Sequence, residues 1–303
     1  MKNVVTIDLE DYYHVTAFSD NGTASDRSLY VSRVEQNTDR VLEILAEKGS
    51  IATFFALGSV AEKFPQLVQR IVRLGHEIAC HSFAHRQVFT LTRDQFFEDT
   101  RRAKLAIEEA AGVAVYGYRA PSFSITKSSE WAFEVLAELG FTYDSSIFPV
   151  RHLNYEMQHA PVDPFIIATP AGSIQEFPMT TLQIAGARAP LAGGAYLRVL
   201  PYWYTQWGIR YLNDSEGRPA CVYLHPWELD PEQPRMKGTL SARIRQYFGL
   251  RSAEVKFRRL LQDFEFQPLG VLVKELSHHS PRNLDGRLPQ IPLEKLYFDR
   301  ETQ

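Results

Sequence analysis

Short apolar runs rich in β-favouring residues alternate with helical periodicity through the first half of the chain. VVTID (4–8), ATFFAL (52–57), EIACH (77–81), YGYRA (116–120) and FTYDSS (141–146) predict strands. Between them, apolar residues recur at three- and four-residue spacing near 33–48, 60–74, 93–111 and 128–139, which predicts amphipathic helices. LAEKGS and VRLGHE each place a glycine just past such a stretch, a helix stop before the next strand. This βαβα rhythm predicts a parallel sheet or barrel, in which chemistry gathers where strands end. After about residue 150 the rhythm breaks. Pro161, Pro164, Pro170 and Pro178, followed by APLAGGAYLRVLPYWYTQW, predict long loops or a β-rich insertion with a turn at Gly193–Gly194. A strand returns in ACVYLHP (220–226), followed by a helical region, LSARIRQYFGLRSAEVKFRRLLQDF.

Composition narrows this little. The chain has 303 residues, 45% of them hydrophobic, enough for one structural domain with an elaborated C-terminal third. A net charge of −3 gives no basic face for nucleic acid. The N-terminus lacks an apolar leader, and no segment approaches the roughly 18 continuous apolar residues of a spanning helix. A cytoplasmic protein is the expectation. The two cysteines, Cys80 and Cys221, fit a reducing compartment as buried thiols. Adjacent strand residues point to opposite faces, so Cys80 should face away from whatever His81 faces.

Polar clusters sit at or just beyond the predicted strand ends: TIDLEDYYH, CHSFAH, YRAPSFS, YDSSIFP and YLHPWELD. In HSFAH, His81 and His85 share a face if the loop turns helically, and two imidazoles with one carboxylate can hold a borderline divalent ion. Asp8, Glu10 and Asp11 offer carboxylates, and Arg119 can orient one of them by bidentate hydrogen bonds. His225 follows an apolar strand, where an imidazole suits a general acid. Each cluster alone is equally a capped turn, a surface arginine or a satisfied core histidine. Their common placement is the stronger signal.

In order, the clusters resemble the motifs of the polysaccharide deacetylase family, also called the NodB homology or carbohydrate esterase family 4 group. TIDLED resembles the first motif, with Asp8 as base. His81-Ser82-Phe83-Ala84-His85 matches H-[ST]-x-x-H, the two metal imidazoles. Arg119, Pro121 and Ser124 match the third motif, with the arginine positioning the base. Asp144, Ser146 and Pro149 match the fourth, and VYLH places His225 as general acid. The resemblance implies a distorted (β/α) barrel over about 1–230, with a family-specific extension over about 231–303 packed on it. The family's adjacent aspartates are interrupted here by Leu9, so the metal carboxylate is Glu10 or Asp11; strand alternation and a D-x-D variant among relatives favour Glu10. DLEDYYHV and HPWELDPEQPR are similar to a narrower branch, the deacetylases of exosortase and PEP-CTERM exopolysaccharide loci.

The implied reaction is metal-assisted removal of N-acetyl groups from amino sugars of an exopolysaccharide or its precursor. The metal would be divalent, with zinc favoured. The oxyanion would be held by the metal and by a backbone N–H near Ser145–Ser146 or the third motif, with Asp144 and Trp227 at the substrate. The partner would be an N-acetylated oligo- or polysaccharide or a lipid-linked precursor, met in the cytoplasm or at the inner membrane face. Peripheral membrane contact through the basic stretch RIRQYFGLRSAEVKFRRLL competes with a solvated helix packed on the barrel. Two other functions fit the same residues: a C–N hydrolase for a small amide or cyclic ureide, and a non-catalytic polysaccharide-binding protein.

Overall fold

NVVTIDL forms β1 (Asn3–Leu9), buried along its whole length. Strand alternation sends Val5, Ile7 and Leu9 into a core shared with the helices, and Val4 into a second, separate core. The computed structural model describes residues 1–15, 30–150, 160–184, 186–191, 193–278 and 288–296. Parts of the expected C-terminal extension, 279–287 and 297–303, lie outside these.

The first half follows the predicted alternation: α1 (Val34–Glu47), β2 (Thr53–Ala56), α2 (Gly58–Lys63), α3 (Pro65–Arg73), β3 (Glu77–Cys80), α4 (Arg93–Ala111), β4 (Gly117–Tyr118), α5 (Trp131–Glu138) and β5 (Tyr143–Asp144). The stretch expected as one helix over 60–74 is two. Proline cannot continue a helix through Pro65 and disfavours helical backbone before it, and Phe64 is non-helical at φ −130°, ψ 57°. α4 shows why its limits were readable. Thr92 Oγ1 accepts from Gln95 N at 3.2 Å, Gln95 Oε1 accepts from Thr92 N at 3.0 Å, and Gly112 ends the helix at φ 70°.

The second half continues with β6 (Phe165–Thr169), β7 (Gly172–Glu176), β8 (Thr181–Ile184), β9 (Ala187–Pro190), α6 (Ala195–Val199), α7 (Tyr202–Asp214), β10 (Cys221–Leu224), α8 (Leu240–Tyr247), α9 (Leu250–Asp263), β11 (Phe266–Gln267), α10 (Leu269–His278) and β12 (Gln290–Pro292). The expectation of loops or β structure across residues 189–207 is corrected here: α6 and the start of α7 occupy much of that run. The aromatic residues of α7 form one exposed helical stripe, Trp203, Trp207 and Tyr211, opposite the buried Thr205, Ile209 and Leu212.

The main sheet runs β10-β1-β2-β3-β4-β5-β7-β6-β12, with β11 beside the start of β1. From β10 to β7 all neighbours are parallel, and β6 and β7 pair antiparallel; β8 and β9 form a separate antiparallel pair. The sheet curls on itself. Val4 of β1, Phe55 of β2, Ala79 of β3, Tyr143 of β5 and Cys221 of β10 pack in one inner cluster, which a flat sheet could not bring together. Across the gap, Cys221 N donates to Thr180 Oγ1 at 2.6 Å, a side-chain link in place of strand pairing. The result is a distorted (β/α) barrel. The outer cluster holds Phe54, Cys80, Tyr118 and the apolar faces of the helices, and each such side chain contributes roughly 1.5–3 kcal/mol by leaving water. Cys80 therefore faces outward, as alternation predicts. Because β1, β3, β4, β5 and β10 run parallel, all the polar clusters that follow them emerge at one end.

Candidate active site

At the end of β1 the alternation carries past Leu9, which is buried outside, so Asp8 and Glu10 both face the barrel mouth. Asp11 turns away. Its oxygens accept from Ser32 Oγ at 2.5 Å and from Arg33 N at 3.1 Å, and its backbone N–H donates to His14 Nδ1. Of the two carboxylates offered for a metal, Glu10 is the one with a ligand atom within 4.8 Å of those of His81 and His85, a group that could hold an ion.

The histidines converge, but not on a helical turn. The loop after β3 gives its carbonyls to α2: Gly58 N and Ser59 N donate to Ser82 O and Phe83 O. Those carbonyls are then unavailable for helical bonding. The chain turns back through left-handed residues instead, Ser82 at φ 68° and His85 at φ 55°, with His85 N donating to Ser82 Oγ at 3.1 Å. The ring centroids end 5.3 Å apart. Ser122 and Phe123, on the facing loop, are also left-handed at φ 54° and 53°. Non-glycine residues rarely adopt this conformation, and here four of them flank one cleft.

The donor set fits a divalent ion. His81 Nδ1 lies 2.8 Å from the carbonyl of Arg119, so Nδ1 carries the proton and Nε2 keeps its lone pair. Burial pushes the His81 pKa down to about 4, which keeps the ring neutral as a ligand must be. Burial opposes the charge of Glu10, yet the neighbouring imidazoles of His85 and His225 hold its carboxyl well below the usual range. Glu10 Oε2 and His85 Nε2 are 2.8 Å apart, and buried Glu10 Oε2 and His85 Nδ1 have no hydrogen-bond partner.

Arg119 is fully buried beneath Asp8. Its Nη1 donates to Asp8 Oδ1 at 2.8 Å and to Thr6 Oγ1 at 2.7 Å, while Nε and Nη2 donate to the carbonyl and hydroxyl of Ser145. The guanidinium also lies over the Phe55 ring at 4.2 Å. Asp144, Ser145 and Ser146 sit behind this arginine. They are buried, do not line the cleft, and their polar atoms are already committed: Ser145 N to Tyr118 O, and Ser146 N and Oγ to Asp144. The direct substrate and oxyanion contacts expected of these three give way to a supporting role. A backbone N–H already spent inside the barrel cannot also meet an oxyanion.

His225 follows β10 and presents Nε2 to the cleft, 3.5 Å from Glu10 Oε1 and 3.9 Å from Asp8 Oδ2. Burial disfavours its charge, but Glu10, Glu228 and Asp8 outweigh burial and raise its pKa to about 9. Trp227 stacks on the His225 ring at 5.0 Å and 19°, and its Nε1–H donates to Glu10 Oε1 at 3.2 Å. It thus lines the cleft and steadies the Glu10 carboxylate as well. The cleft measures about 430 Å³, large enough for a sugar unit, and its far wall comes from α6 and α8 through Tyr196 and Arg245. Thr6, Glu228 and Arg198 were missed from sequence. Glu228 left a trace, since H-P-W-E has the spacing of a capping box, whereas Arg198 lies too far along the chain to signal anything.

Residues 18–143 match the family model described as polysaccharide deacetylase, and residues 145–274 match one described as a domain of unknown function, DUF3473. The chain is 33% identical over 98 residues to the peptidoglycan-N-acetylglucosamine deacetylase of Bacillus cereus, covering 32% of this chain and 36% of that protein. It is 39% identical over 78 residues to the chitooligosaccharide deacetylase of Sinorhizobium fredii, covering 24% of this chain and 36% of that one. The chain thus matches about a third of the length of these curated relatives. Among solved structures, a candidate polysaccharide deacetylase from Mycobacterium smegmatis superposes with a TM-score of 0.59 at 20% identity, covering 96% of this chain and 93% of that one. A Puue allantoinase reaches 0.52 at 15% identity, covering 82% and 74%. At these identities both similarities speak to the fold.

Proposed function

We propose that this protein, whose residues 18–143 match the family model described as polysaccharide deacetylase, is a metal-dependent hydrolase that removes N-acetyl groups from amino sugars of an exopolysaccharide or its precursor. The observation that carries the reading is the convergence of Glu10, His81 and His85 beside a buried Asp8–Arg119 pair and His225 in one cleft. The relatives named above as deacetylases of acetylated saccharides support it.

A divalent ion held by Glu10, His81 and His85 would supply Lewis acidity toward a carbonyl and toward water, and a set of two imidazoles and one carboxylate suits zinc. The chain's own groups carry the protons. Asp8 accepts one from the attacking water, with Arg119 and Thr6 fixing the direction of its carboxylate. His225 delivers one from Nε2 to the departing amine nitrogen, so the C–N bond breaks with acetate and a free amine as products. The amine is cationic at neutral pH, so turnover changes the charge of the saccharide. The finer assignment to extracellular polysaccharide assembly rests on DLEDYYHV and HPWELDPEQPR. No helix among the described residues is long and apolar enough to cross a membrane. A reaction in the cytoplasm or at the inner membrane face is part of the same proposal.

The test is metal content and acetate release on one sample, with N-acetylglucosamine oligomers as substrate. Wild type should bind one divalent ion and release acetate, His81→Ala should lose both, and Asp8→Asn should keep the metal while kcat falls about 10²–10⁴-fold. Acetate release by a metal-free His81→Ala protein would sink the assignment. Turnover of allantoin in place of the oligomers would move it to another C–N bond.

A further inference from the structure

The segment matched by the family of unknown function contains His225 and a buried chain of charges leading to it. His225 Nδ1 is buried without a hydrogen bond and faces Glu228 Oε1 at 3.6 Å. That carboxylate is not free to swing. Arg198 Nε donates to Glu228 Oε1 at 3.0 Å, and the backbone N–H of His225 donates to Oε2 at 3.4 Å. Arg198, itself only 2% exposed, gives three further N–H groups to the carbonyls of Arg245, Gln246 and Phe248 at the end of α8. The guanidinium therefore caps a helix C-terminus with one edge and holds Glu228 with the other.

A buried ion pair is poor support for stability, because desolvation offsets most of its attraction, so this one calls for another use. Trp227, stacked on the imidazole, fixes the plane of the His225 ring, which leaves open the direction in which its nitrogens point within that plane. We propose that Glu228, locked by Arg198, is a positioning residue that holds Nδ1–H of His225 and thereby aims Nε2–H at the leaving group. When Nε2 gives up its proton, the neutral ring keeps the Nδ1 proton against Glu228, and the tautomer left behind is the one that can be recharged at Nε2. The 3.6 Å separation is slightly long for a hydrogen bond, as such contacts often are before substrate binds. On this account the region of unknown function supplies the acid half of the site, as residues 18–143 supply the metal-facing histidines.

The inference rests on the deacetylase reading, and its test separates the two. A residue that aims a general acid matters when the leaving group is a poor one and little when it is good. Wild type, His225→Ala and Glu228→Gln are compared on an N-acetylglucosamine oligomer and on 4-nitrophenyl acetate, whose phenolate leaves without a proton. In Glu228→Gln the amide kcat should fall roughly 10²-fold with KM within about twofold, while the ester rate changes less than about threefold, the same selectivity as His225→Ala. If Glu228→Gln does not fold, Glu228→Asp, which keeps a charge for Arg198 but draws it away from Nδ1, is judged by the same ratio. Equal losses on both substrates, or an unchanged amide kcat, overturn the positioning role. Acetate release from neither substrate by metal-replete wild type overturns the deacetylase reading itself, and this inference with it.

Discussion

Arg119 and Glu176 illustrate how a single buried charge is made tolerable here. Arg119 has every arm matched by an oxygen or a ring face, so its burial beneath Asp8 serves orientation. Glu176 is held differently. Burial pushes its pKa well above 4.5, and the adjacent Asp144 carboxyl, also raised by burial, adds to the effect, so the pair shares one proton. Between its unfolded and its raised folded pKa, Glu176 is protonated when folded and ionised when unfolded. Its stabilising contribution is whole below about pH 4.5 and is lost as pH rises through the folded pKa, at up to about 1.4 kcal/mol per pH unit. Glu176→Gln keeps an acceptor for Ile147 N and a donor for Asp144 without a titrating proton. Its thermal midpoint relative to wild type should rise between pH 5 and pH 9, and a constant difference would contradict the shared proton. At this scale the sequence was most legible. Asp8, Glu10, His81, His85, Arg119 and His225 all meet where their motifs implied, because each motif is anchored to a strand end. Asp144, Ser145 and Ser146 misled because type and spacing do not reveal that a hydroxyl or N–H is already spent.

Among the elements, the joint between α8 and α9 is the one on which the acid side depends. It turns at Gly249, φ 78°, where an added Cβ would stand 2.7 Å from the carbonyl oxygen of Arg198. Gly249→Ala should cost about 2–4 kcal/mol, combining left-handed strain with overpacking against backbone, and denaturant melts would register it as a lower midpoint. An unchanged midpoint would mean that the joint is looser than it looks. The basic run through α9 settles as a packed helix: Leu250, Ala253, Phe257, Leu260 and Leu261 are buried, and Arg258 pairs with Glu254 and with Glu47 of α1. Helices were legible where capping and periodicity agreed, as in α4. They were hidden where a proline divided the stretch expected as one helix over 60–74, and where the prolines and glycines before and within 189–207 read as loop across α6 and the start of α7.

At the scale of the whole molecule, the boundary between the two family matches cuts across the barrel. β1 is paired on one side by β2 from the first match and on the other by β10 from the second, and β5 leans on β7. A chain ending at residue 143 leaves the wholly buried β1 with one edge open. It should show no cooperative unfolding transition by circular dichroism, whereas the full chain melts as a unit; a sharp melt of that fragment would make the first match a domain in its own right. The return of β10 to the side of β1 was not legible from local pattern, since pairing across more than 200 residues leaves no mark in either segment.

The four left-handed residues flanking the cleft, Ser82, His85, Ser122 and Phe123, bear on how such a molecule can change. Each holds about 1 kcal/mol or more of torsional cost that a glycine would release. Selection for a hardier chain and selection for a faster one therefore pull on these positions in opposite directions. Glycine at Ser122 would ease the loop and free it to wander, and glycine at Ser82 would also remove the hydroxyl that His85 leans on. Gains in robustness for this protein are best sought on the outer helices and away from the mouth of the barrel.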